Sequence, residues 1–148
     1  MTRRILVLRI LTGVSLGLTS CASPTASRPD EAIALTTEEI LEQFSGVRDA
    51  AEVQDQAGTL AVNDWYKNGT FVVRWSNHSE SGEVTGKWWA ENNKRCIEIY
   101  TGLPERKGVT SCSLIYRRGD VFLSMEPDGR IHGIHRLTPL PDVAVQAP

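Results

Sequence analysis

Cysteine and histidine are scarce, with three of each among 148 residues. The scarcity argues against a metal centre: Cys96 and Cys112 have no further cysteine close by and no suitably spaced histidine pair. His132 and His135, three apart on an expected strand, point to opposite faces and read as surface or rim residues. A nucleophile elbow is also missing, so Ser124, His135 and Asp120 make a Ser-His-Asp set on paper only. Basic excess is absent as well: 16 Lys and Arg face 18 Asp and Glu, a net charge of −2, which argues against nucleic acid as a partner. Arg117, Arg118, Arg130 and Arg136 lie in a slightly basic C-terminal half and read as a solvated face. The run from Ile5 to Leu18 is interrupted by Arg9, Gly13 and Gly17, and falls short of the roughly 20 apolar residues of a membrane span. No catalytic residue, metal or cofactor is expected.

What is present begins with that run. Arg3 and Arg4 precede it and Thr19-Ser20-Cys21 follows it, the order of an export signal. Leu18-Thr19-Ser20-Cys21 resembles the cleavage box of bacterial lipoproteins. The resemblance implies that residues 1–20 are a signal peptide and that Cys21 is lipidated as the mature N-terminus. Ala22, with no acidic neighbour to the cysteine, resembles the pattern sorted to the outer membrane. Cleavage would remove three arginines, leaving 13 basic residues against 18 acidic ones, a net −5. Residues 21–34, with Ser23, Pro24, Thr25, Ser27 and Pro29, then read as the lipidated cysteine and a flexible tether. With Cys21 assigned to lipid, Cys96 and Cys112 remain as an even pair in an oxidising compartment. Turn residues Thr101-Gly102-Leu103-Pro104 and Gly108 lie between them, so an antiparallel hairpin predicts a disulfide.

Helix and strand signals fill residues 35–138. Thr36 followed by Glu39 is a capping box, Leu35 is placed to staple onto Ile40, and Gly46 ends the helix after the stripe Ile40, Leu41 and Phe44. A helix this short must dock on a sheet. Residues 47–58 carry weak signals, with one candidate strand at Ala50 to Val53. Asn68-Gly69 predicts a tight hairpin in which Tyr66 faces Phe71, Asp64 faces Val73 and Val62 faces Trp75, with Trp65 on the reverse. Asp64 would lie at the rim or pair with Arg74 or Lys87. The next strand places Val84, Gly86 and Trp88 on one face and Thr85 and Trp89 on the other; Gly86 suits a bend or a close backbone approach. Asp128-Gly129 centres the last hairpin, with Leu123 opposite Ile134 and Val121 and Met125 on the same face. Pro139 and Pro141 end it, and residues 139–148 read as a disordered tail. The expected fold is all-β: an antiparallel meander of about seven to eight strands forming a small barrel, with one short N-terminal capping helix.

Tyr66-Lys67-Asn68-Gly69-Thr70-Phe71, Gly86-Lys87-Trp88-Trp89, Cys96-Ile97, Cys112-Ser113 and Asp128-Gly129 resemble an uncharacterised family of small exported proteins of Gram-negative bacteria. The resemblance covers about Thr36 to Leu137 and implies a lipocalin-like barrel. Its motifs are turn and core residues and carry no activity.

Four side chains are candidates for a ligand or partner surface. Trp65 and Trp89, opposite the expected core row of Trp75 and Trp88, would line an exposed apolar patch. Glu98 and Tyr100 share a face with Cys96. They are expected outside, since Ile97 and Ile99 make the better core row; inside a barrel they would be polar groups of a ligand site. The leading expectation is therefore a non-enzymatic outer-membrane lipoprotein, its domain facing the periplasm and binding a periplasmic protein or envelope component. The alternative is a lipocalin-like carrier of a small apolar ligand.

Overall fold

The structure is a computed structural model, and it describes residues 31–141. The expected signal peptide, Cys21, most of the expected tether and the end of the expected tail lie outside the described residues. Strand β1 (Ile33–Ala34) is followed by helix α1 (Thr37–Phe44) and eight further strands: β2 (Val47–Val53), β3 (Leu60–Trp65), β4 (Thr70–Ser76), β5 (Ser81–Glu91), β6 (Lys94–Thr101), β7 (Thr110–Arg118), β8 (Val121–Met125) and β9 (Ile131–Pro139). Each of β2 to β8 pairs antiparallel with its successor, and β9 pairs back onto β2 from Val47↔Pro139 to Val53↔Gly133. The sheet therefore closes into an eight-stranded up-and-down barrel, the lipocalin-like architecture expected. β1 adds to β7 outside this ring through Ile33↔Arg117 and Ala34↔Tyr116, so the last residues of the expected tether form a strand.

Helix α1 starts where the sequence places it. The Thr36 hydroxyl accepts from the Glu39 amide at 3.3 Å, and the Glu39 carboxylate accepts from the Thr36 amide at 2.8 Å. Such reciprocal capping is worth about 1 kcal/mol. Leu35, Ile40 and Phe44 are buried together in the core, whereas Leu41 is exposed. Gly46 adopts φ 77° after the helix and donates to the Trp65 carbonyl, which fastens the helix to β3. The Thr37 amide also donates to Asn93 Oδ1 in the β5–β6 turn at 3.0 Å. The helix thus covers the end of the barrel that carries this turn and the Lys67-Asn68-Gly69 loop.

One register differs by a single residue from the two-residue turn read at Asn68-Gly69. The Tyr66 amide donates to the Thr70 carbonyl, leaving Lys67, Asn68 and Gly69 as a three-residue loop with Gly69 at φ 82°. Trp65 consequently faces Phe71 and Asp64 faces Val72. A one-residue slip moves every side chain to the other face. Trp65 is therefore 3 % exposed in the core and Tyr66 lies outside, the reverse of the expected patch.

Elsewhere the pairing agrees with the pattern. Val84 and Trp88 face inward, and a Cβ on Gly86 would come within 2.1 Å of the Glu98 carbonyl oxygen, beside a bulge at Thr85/Gly86. Cys96 and Cys112 are directly paired across β6 and β7, with Cα atoms 4.0 Å apart, and form the expected disulfide. Leu123 is opposite Ile134 as expected, but Pro127, Asp128 and Gly129 again form a three-residue loop, closed by the Glu126 amide donating to the Arg130 carbonyl, and a bulge at Ser124/Met125 restores the register; the row packed in the core carries Phe122 rather than Leu123. β2 spans seven residues between β3 and β9. Its signal was weak because the inward row, Asp49 and Ala51, breaks the apolar alternation with a carboxylate and a small side chain.

Candidate ligand-binding site inside the barrel

Inward rows of a barrel this size either fill the interior or leave room for one small ligand. Here they leave a cavity of about 370 Å³. Phe71, Val73, Trp75, Val84, Ile97 and Ile99 form much of its wall. Asp55, Arg106 and His132, all exposed, mark a mouth on the side of the loops after β2, β6 and β8. The opposite end is closed by helix α1, and there the lining turns polar through Asn63, Arg95 and His135, with Trp65 among them.

A hydrogen-bonded group holds that closed end. Asp49, on β2, is fully buried, and its Oδ2 accepts from Trp65 Nε1 at 3.1 Å, Asn63 Nδ2 at 3.1 Å and His135 Nδ1 at 2.9 Å. Because Nδ1 donates to a carboxylate, the neutral ring presents Nε2 as acceptor, and the Ser124 hydroxyl donates to it at 2.8 Å. Burial pushes the His135 pKa down, outweighing the upward pull of Asp49, which keeps the ring neutral. Gly133 makes room for this pair: a Cβ there would lie 3.1 Å from His135 Nε2 and 3.3 Å from Ser124 Oγ.

Arg95 completes the closed end. Its guanidinium carbon lies 4.7 Å from the Phe44 ring centroid and 4.5 Å from that of Trp65, so two aromatic side chains fix its orientation. Arg95 Nη1 is 3.9 Å from Asp49 Oδ2, close enough for attraction and too far for a hydrogen bond. Among the described residues Nη1 has no hydrogen-bond partner. Burial lowers the Arg95 pKa to about 10, so it stays cationic at neutral pH.

Asp49, His135 and Ser124 have the connectivity of a Ser-His-Asp triad. Ser124, however, is fully buried in the middle of β8 and does not line the cavity. A nucleophile so placed meets no substrate, and the chain of hydrogen bonds serves to satisfy buried polar groups. Asp120, the carboxylate read from the sequence, sits in the exposed β7–β8 turn, and Asp49 takes its place. His135 is likewise an interior residue rather than a rim one, while His132 is exposed and bonds Glu126 at 2.7 Å.

The remaining sequence candidates lie on the outer face. Glu98 bonds Lys87 at 2.8 Å, Lys87 Nζ stands 5.4 Å from the Trp89 ring centroid, and Tyr100 is exposed next along the strand. Trp89 Nε1 donates to Glu91 at 2.9 Å, so the row is ion-paired and hydrogen-bonded. Asp64, also outside, is buried beneath a two-pronged contact from Arg48 at 2.7 and 2.9 Å and a longer one from Arg74 at 3.4 Å, with Lys87 engaged elsewhere. Among the described residues, Glu91, Cys96 and Cys112 cluster at metal-binding separation, but the two sulfurs are bonded to each other and offer no thiolate.

Of the residues that line or hold the polar end, the sequence singles out Trp65, His135 and Ser124. Asp49, Asn63 and Arg95 interrupt apolar rows and look like surface positions. Their one signal is that each occupies an inward slot of a strand pattern. Comparisons with protein-family models, curated proteins and solved structures found no match.

Proposed function

We propose that this barrel binds and carries a small, mostly apolar ligand in its interior. The observation that carries this reading is the cavity itself: about 370 Å³, apolar along its wall, open at one end and polar at the other. Ligand sites commonly occupy about 300–1,000 Å³ with a few placed polar groups, and this one lies at the lower end. The reading places carriage above partner binding, because Trp65, one half of the proposed partner patch, faces the cavity. It involves no catalysis. With the export signal and Cys21 of the sequence, the proposal is of a carrier tethered to the outer membrane on the periplasmic side.

Native mass spectrometry of the exported full chain, with Cys21→Ser to keep it soluble, tests this. The expected result is a reproducible extra mass released on denaturation. An apo mass in every preparation, together with no cavity uptake of the apolar dye phenylnaphthylamine, would overturn the proposal and return attention to Trp89 and Tyr100.

A further inference from the structure

We infer that the ligand is an amphiphilic monocarboxylate, its carboxylate held by Arg95 at the closed end and its tail directed towards the mouth. This rests on the carrier reading and adds the chemistry of the head group.

Arg95 is 9 % exposed and lines the cavity. A buried charge is costly unless it is paired and hydrogen-bonded. Asp49 supplies an opposite charge at 3.9 Å but no hydrogen bond, and its Oδ2 already accepts from three N–H groups. Phe44 and Trp65 hold the guanidinium in one orientation, so a planar fork of donors is prepared before any ligand arrives. A carboxylate matches that fork with two parallel hydrogen bonds.

Trp75 Nε1, also buried without a partner among the described residues, lies towards the mouth, where Trp75 pairs with Gly82, and is out of reach of a head group at Arg95. The wall between, with Val73, Val84, Ile97 and Ile99, accepts only an apolar tail. Decanoate has the required head and an apolar tail.

The test compares decanoate with decanol, its neutral counterpart, by calorimetric titration of the Cys21→Ser full chain at neutral pH. Decanoate is expected to bind about tenfold to a hundredfold more tightly, the range for hydrogen bonds to a charged group. Arg95→Met should abolish the preference, so that the variant binds decanoate no more tightly than it binds decanol. Equal affinities on the unsubstituted chain, or tighter decanol, would overturn the head-group assignment and leave carriage standing. Binding of neither, with an apo mass in native spectra, would remove both. Should Arg95→Met fail to fold, the ratio measured on the unsubstituted chain still decides.

Discussion

A single carboxylate, Asp49, organises the polar end of the barrel by accepting from Trp65, Asn63 and His135 while lying near the Arg95 charge. The buried histidine in this group sets a pH dependence. In the unfolded chain His135 titrates near 6.5, and burial holds its folded-state pKa below that value. Below pH 6.5 the unfolded state therefore binds a proton that the folded state does not, so this contribution to stability is present above 6.5 and is lost as pH falls towards the depressed value. Stability should drop by up to about 1.4 kcal/mol per pH unit in that window. Urea unfolding from pH 7 down to pH 5 should show the slope, and His135→Gln should flatten it. An equal slope in the variant would assign the effect to other groups. Asp64 acts in the same direction at lower pH, because its bond to Arg48 holds its pKa below the usual carboxylate value.

At the scale of elements, β6 and β7 are joined both by their ladder and by the Cys96–Cys112 bond. The cysteines are separated by 16 positions, a closed loop whose constraint on the unfolded chain is worth about 3 kcal/mol. Reduction should lower the unfolding free energy obtained from urea titration by that amount, with a lower midpoint, while the barrel stays folded, since Lys94 to Glu98 still pair with Leu114 to Thr110. A midpoint unchanged by reductant would show that the crosslink adds nothing to the hairpin. Most elements were legible from local chemistry: the Thr36 capping box, Gly46, the Asp128-Gly129 hairpin and the inward row of Val84 and Trp88. The exception at Asn68-Gly69 is instructive. Both the two-residue and the three-residue loop satisfy those residues, and the choice fell to the rest of the barrel, which buries Trp65 against Phe71 and Trp88.

Across the whole molecule, closure of β9 onto β2 leaves the ring without a free edge. Amide hydrogen exchange should therefore find β2 and β9 as protected as β4 and β5, while Ile33 and Ala34, paired over two residues outside the ring, exchange fastest among the strands. Rapid exchange along β2 and β9 would mean that the seam opens independently. Closure also explains why the cavity could not be read from the chain. Asp49, Asn63, Arg95 and His135 come from four strands, three of them brought side by side only through β3 and β9 flanking β2.

The sequence by itself determined the repeating turns, the alternating strands, the capped helix and the cysteine pair, because each depends on residues close along the chain or on direct cross-strand partners. It determined an all-β meander for the same reason. Only the tertiary structure decided which face of each strand is inside, where the helix closes the barrel, and that a cationic side chain meets an apolar cavity at its closed end. Those outcomes depend on the register around the full ring: shifting one strand by one residue exchanges its inner and outer faces, and only the closed ring selects between them.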